Sequence, residues 1–176
     1  MTKTLSLNTA SVNELFAKIE ADINQAVRPA AQAASEVLYQ AVKANVAGIG
    51  RKTGNLERSI YQVYSKAKSS ESRASYEISW NRKKAPHGHL VEFGYIQRYE
   101  MGINEQGQFI GPRVRPEMQG KRKPSSRASQ AVKDAYYVPR KGGPVQVPAK
   151  AFIRSAQSRF PQAIEAAKRE ILSRIK

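Results

Sequence analysis

Between Val12 and Val46, apolar side chains recur at steps of three and four: Val12, Leu15, Phe16, Ile19, Ile23, Ala26, Val27, Ala30, Ala34, Val37, Leu38, Ala41, Val42 and Val46. That is the period of one helical face. Ser11-Val-Asn-Glu14 has the form of a capping box and predicts the start of this helix. Pro29 predicts a kink or break near Arg28, because its ring removes a donor and crowds the preceding turn. Gly48 or Gly50 should end it. Such a helix spans about 50 Å, at about 1.5 Å per residue. Its apolar face could be covered by a neighbouring molecule or by a C-terminal helix, and the sequence leaves both open.

Past the turn residues Thr53-Gly-Asn-Leu56 the period changes to two. A strand is predicted over about 58–67 and a second over 74–80, with the polar stretch 68–73 as a hairpin loop between them. Leu90-Val-Glu-Phe93 and Gln108-Phe-Ile110 are weaker strand candidates. Residues 111–144 hold Pro112, Pro116, Pro124, Pro139 and Pro144, together with a Lys121-Arg-Lys123 cluster. This composition predicts a long basic excursion with one short helix near Ser126–Tyr137. Helical spacing returns from Phe152 to Ile175, and Pro161 should offset or bend that helix. The predicted fold class is α+β: a small, mainly antiparallel sheet of about three to five strands, packed by a long N-terminal and a C-terminal helix. Residues 1–176 read as one domain, with a flexible N-terminus over 1–10.

Charge sharpens the picture. Thirty basic and fourteen acidic side chains give +16. Residues 1–110 carry 14 basic and 10 acidic (+4), residues 111–144 carry 9 and 2 (+7), and residues 145–176 carry 7 and 2 (+5). A basic excess concentrated in the last third implies a polyanionic or acidic partner, or a solvated basic surface. The absence of cysteine excludes disulfides, thiolate metal sites and a cysteine nucleophile. The first ten residues lack the apolar block of a secretion signal, which leads us to expect a protein made soluble in the cytoplasm.

Candidate chemistry is sparse. His87-Gly-His89 with Glu92 lacks the spacing of a zinc site, and no other histidine exists. Glu92 and Glu100 are the nearest to a carboxylate pair, in a region without sign of enclosure. Gly48-Ile-Gly50-Arg51-Lys-Thr-Gly54 is glycine-rich and basic, but departs from a phosphate loop. No catalytic residue, metal or cofactor is predicted, and a nuclease reading lacks a metal-binding carboxylate cluster. Glu92 stands out for its apolar neighbours Leu90, Val91 and Phe93. On alternation it shares a face with Leu90, which calls for a cation from Arg51, Arg58 or Arg154.

Three stretches in fixed order, Arg51-Lys-Thr-Gly-Asn-Leu-Glu-Arg-Ser-Ile60, Val91-Glu-Phe-Gly94 and Val147-Pro-Ala-Lys-Ala-Phe-Ile-Arg-Ser-Ala156, lie between the two helical patterns. In this pattern the chain resembles the gene-product-ten-like tail-component family of long-tailed bacteriophages, also called tail completion or neck proteins. The resemblance implies a non-enzymatic virion protein that assembles as a ring of about six subunits at the junction of head and tail. It would sit beside tail terminator, tail tube or head connector proteins, with packaged DNA as a further contact and no membrane. Gly54, Glu92, Gly94, Pro148 and Phe152 are expected to be structural. Arg113, Arg115, Lys121, Arg122, Lys123, Arg127, Arg140 and Lys141 are the expected partner or DNA contacts, exposed on any fold. The alternative is a sequence-independent nucleic-acid-binding protein, using the same cluster with Tyr136 and Tyr137 as stacking platforms.

Overall fold

The computed structural model describes residues 9–50, 54–107 and 109–175. The expected flexible N-terminus up to Asn8, the Arg51–Thr53 part of the first stretch, and Gln108 lie outside the described residues. Two compact units are present: Met1–Glu92 with Ala151–Lys176, and Phe93–Lys150. No helix among the described residues is long and apolar enough to cross a membrane.

In the first unit, α1 runs from Ala10 to Gly48, about 58 Å at 1.5 Å per residue. Its end at Gly48 agrees with the sequence, whereas its start does not use the predicted capping box. Thr9 is the N-cap, with no side-chain hydrogen bond to the helix. Nor does Pro29 break the helix, which continues through it. The carbonyl that loses its amide partner belongs to Gln25, an exposed residue, so water can satisfy it.

A single turn, α2 (Asn55–Ser59), follows Gly54, whose φ of +70° supplies the left-handed conformation at its N-cap. Strands β1 (Ile60–Tyr64) and β2 (Tyr76–Trp80) form the expected antiparallel hairpin, with Ile60 opposite Trp80 and Tyr64 opposite Tyr76. The hairpin packs on α1, where Gln62 donates to the Ser35 hydroxyl and Arg28 lies 4.4 Å over the Tyr64 ring. A 3₁₀ turn over Arg154–Arg159 leads into α5 (Phe160–Arg174), which lies along α1. Intramolecular packing therefore covers the C-terminal half of the α1 face. Pro161 sits in the first turn of α5 and starts the helix rather than bending it, since the amide it lacks would have no intrahelical partner there.

The core of this unit is Val42 and Val46 of α1, Leu56, Ile60, Ala85, Phe152 and Ala156. Phe152 is completely buried and meets the Trp80 ring edge-on at 5.7 Å between centroids.

Leu90–Phe93, a strand candidate on alternation, is instead part of a short helix, α3 (Gly88–Phe93), in which the chain passes from the first unit to the second. Leu90 and Glu92 therefore do not share a strand face. A four-residue apolar run is too short to separate the two periods.

The second unit contains two separate two-stranded antiparallel sheets. One pairs β3 (Tyr95–Gln97) with β6 (Val145–Val147), the other β4 (Met101–Ile103) with β5 (Phe109–Pro112). With the β1–β2 hairpin this makes three small sheets among the described residues, in place of the single sheet of three to five strands. The glycines and prolines between these segments end each ladder after a few residues. The class remains α+β, with antiparallel pairing in all three of these sheets.

Backbone hydrogen bonds from Arg140 to Arg98, Glu100 to Val138, Arg113 to Glu100, Val138 to Arg113 and Arg115 to Tyr136 tie residues 98–100, 113–115 and 136–140 together. Helix α4 (Gln130–Tyr136) lies within the predicted 126–137 window, and Ser129 caps it by accepting from the Val132 amide. Tyr137 is buried in this unit, with the rings of Tyr99 and Tyr136 at 5.1 and 5.0 Å.

Candidate functional site

The most tightly organised polar site is a clamp at Glu92. This side chain is almost wholly buried, at 2% exposure. Oε2 accepts from the Ile153 amide at 2.9 Å, and Oε1 accepts from the Arg154 amide at 3.2 Å and from Arg154 Nε at 3.1 Å. The Arg154 guanidinium also donates through Nη2 to the Glu92 carbonyl at 2.8 Å. Of the three cations considered, Arg154 is the partner found here, while Arg51 lies outside the described residues. A buried carboxylate needs this density of donors, and its negative charge also suits the first amides of the 3₁₀ turn that begins at Arg154.

A second polar residue, not anticipated from sequence, completes the clamp. Asn45 Nδ2, on α1, donates to the Phe152 carbonyl and to Ser155 Oγ, each at 2.9 Å. Its signal was an amide placed between Val42 and Val46 on an otherwise apolar face. Immediately before these anchored residues Ala151 takes φ +46°, the one left-handed non-glycine among the described residues. The arrangement holds backbone in place.

The other expected structural residues separate by role. Gly94 has φ +73°, and a Cβ there would fall 2.6 Å from the Val147 carbonyl oxygen and 2.8 Å from the Ala149 amide, so glycine allows the chain to enter β3 beside β6. Pro148, next to that approach, is exposed. His87 and His89 are exposed at the start of α3, where His89 Nδ1 lies 2.8 Å from the Pro86 carbonyl oxygen.

Not all of the eight expected contact residues are as exposed as predicted. Arg115 is half-buried, and its Nε donates to the carbonyls of Asp134 and Tyr137, closing the C-terminal end of α4. Arg140 is half-buried and reaches the Gly143 carbonyl. Arg113 is exposed but paired with Glu100 at 3.0 Å. Lys121, Arg122, Lys123, Arg127 and Lys141 are exposed, and their side chains make no ion pair among the described residues.

Tyr137 cannot serve as a stacking platform because it is buried, and the Tyr136 hydroxyl is tied to the Lys121 carbonyl at 2.9 Å. Beside them, Tyr99 donates to Asp134 Oδ1 at 2.8 Å, and Gln130 Nε2 donates to the Tyr99 hydroxyl oxygen and to Asp134 Oδ1, each at 2.7 Å. The Tyr99 hydrogen bond, then that of Gln130, holds the Asp134 carboxyl below its ordinary value. Burial, then the carboxylate, raises the Tyr99 phenol.

Residues 10–94 match the model of the family described as "Bacteriophage HK97-gp10, putative tail-component". The resemblance read from the sequence is thus found over this part of the chain. It supports a structural protein of a phage tail. The matched residues take in α1, the β1–β2 hairpin and Glu92, and end at Gly94, before the Val147–Ala156 stretch. No curated protein and no solved structure matches the chain.

Proposed function

We propose that this protein is a non-enzymatic tail completion or neck subunit of a tailed bacteriophage, forming a ring at the junction of tail and head. The match of residues 10–94 to the tail-component family carries the reading. Two features support it. The polar groups of the best-organised site are spent on holding backbone together, and α1 carries an apolar stripe beyond what its own unit covers. Its neighbours in the particle are other virion proteins, and it passes through the host cytoplasm during assembly.

Charge sets how such a ring forms. Six copies at +16 would gather 6 × 16 = +96, which disfavours a free ring unless acidic or DNA surfaces face it. The isolated protein is accordingly mainly monomeric and closes into a ring on the end of the tail or on the connector. Quantitative mass spectrometry of purified virions tests this. The reading predicts a small fixed copy number, the same in every preparation, and absence from finished particles would overturn it.

A further inference from the structure

The α1 face is covered along only part of its length. Near the last turn of α5, Glu170 and Arg174 share a groove with Pro29, Gln32, Ala33 and Glu36 of α1. Phe152 and Ser155, ahead of α5, sit by Asn45. Helix α5 therefore runs antiparallel to α1 and ends beside residues 29–36. Upstream, residues 10–25 extend α1 by about 24 Å, at 1.5 Å per residue. The stripe buried at Ala26 and Ala30 continues along this extension as Val12, Leu15, Phe16 and Ile23, between 41 and 64% exposed. At helical spacing Glu20 and Asp22 flank the stripe on its two sides. With Glu14 and Lys18, residues 10–25 carry three acidic and one basic side chain, net −2, in a chain of +16.

The second unit carries the opposite pattern. A groove of about 640 Å³ is lined by Met101, Ile103, Ile110 and Tyr136, with Arg113 and Lys123 also in its wall. Ile103 and Ile110 are 59 and 69% exposed. The cations Lys121 and Arg122 lie next to Lys123 in the chain and are exposed.

We infer that the N-terminal extension of α1, residues 10–25, docks into the Met101–Ile110–Tyr136 groove of a second copy of this chain. This deepens the assembly reading by naming its contact. The occupant follows from charge. An apolar stripe edged by carboxylates finds its complement in an apolar groove with Lys123 in its wall and Lys121 and Arg122 beside it in the chain, Arg113 being already paired with Glu100, whereas pairing two α1 extensions would set like charges together. The contact is heterologous, since the helix of one copy meets the groove of the next, and such contacts propagate into a ring or a filament. It also places negative charge where neighbouring basic surfaces would otherwise meet.

Disulfide trapping tests this cleanly, because the chain has no cysteine of its own. Phe16→Cys and Ile110→Cys are made in separate full-length chains, and circular dichroism checks that each keeps its helices. The two are mixed and oxidised, with Phe16→Cys plus Lys66→Cys as the control pair. The expected result is a Phe16–Ile110 mixed dimer well above the control. Its yield should fall about tenfold between 0.05 and 0.5 M salt, or when Glu20→Lys and Asp22→Lys are added. Dominance of Phe16→Cys homodimers, or a mixed yield no higher than the control, would overturn the docking. Presence in virions is measured separately, so a protein found in particles without this cross-link would fail here while the assembly reading stood. A cross-linked protein absent from particles would do the reverse.

Discussion

Glu92 Oε2 accepts the amide hydrogen of Ile153 at 2.9 Å, joining positions 61 residues apart within the first unit. The chain leaves this unit after Glu92 and re-enters it at Ala151, so one carboxylate fixes both ends of the intervening segment. Removing it leaves two backbone amides without their acceptor.

Glu92→Ala should therefore cost about 2–4 kcal/mol in urea unfolding, while Glu92→Gln, which keeps one accepting oxygen, should cost about 1–2 kcal/mol. Arg154→Ala should cost less than Glu92→Ala, because the Arg154 side chain is half exposed and water replaces its role. A Glu92→Gln protein as stable as the parent, or the reverse order of Glu92→Ala and Arg154→Ala, would remove the clamp from the account.

Phe152 fills the centre of the first unit against Trp80, the only tryptophan in the chain. Truncation to alanine should cost about 3–5 kcal/mol and shift the tryptophan emission to the red as water reaches the ring. Gly88→Ala should disturb the same emission, since a Cβ there would stand 2.3 Å from Trp80 Nε1. Unchanged fluorescence in both variants would show that the ring does not sit in this core.

How much of this was legible in the chain depended on the length of each pattern. The α1 periodicity extends over many turns and identified the helix and its end, and the alternation around Ile60 and Ile78 identified the hairpin. Leu90–Phe93 was misread because four apolar positions fit a strand or a helix turn equally well. The basic residues could be counted but not sorted. Whether Arg115 faces a partner or closes α4 depends on where residues 134 and 137 return, a long-range fact that local spacing does not carry. Glu92 could be recognised as a buried carboxylate, while its main partners are backbone amides, which no side-chain pattern reveals.

The Tyr99–Asp134–Gln130 network gives the second unit a pH response. The Asp134 carboxyl is depressed below its ordinary value of 3.8, so its contribution is present above that value and is lost as pH falls through the lower folded-state value. Tyr99→Phe removes the largest cause of the depression and should move the Asp134 midpoint, followed by carboxyl NMR, to higher pH. A midpoint that stays in place would show that the phenol does not hold this carboxylate.

The sorting of the cations bears on nucleic acid. Eight phosphate contacts would give a log-log salt slope of roughly −7, but five unpaired cations support a slope no steeper than roughly −4 to −5. Fluorescence anisotropy with duplex DNA should find weak binding within that limit, reduced further when Lys121, Arg122 and Lys123 become alanine. A steeper slope would mean that cations beyond these five reach phosphate, either Arg113, Arg115 and Arg140 released from their intramolecular partners or exposed cations elsewhere such as Lys83, Lys84 and Lys150.

On the proposed function, phage heads and tails do not join without this protein. Electron microscopy of lysates from a phage lacking the gene should show complete heads and complete tails lying unattached, with joining restored when the full-length protein is added back. Intact, infectious virions formed in its absence would rule the proposed function out.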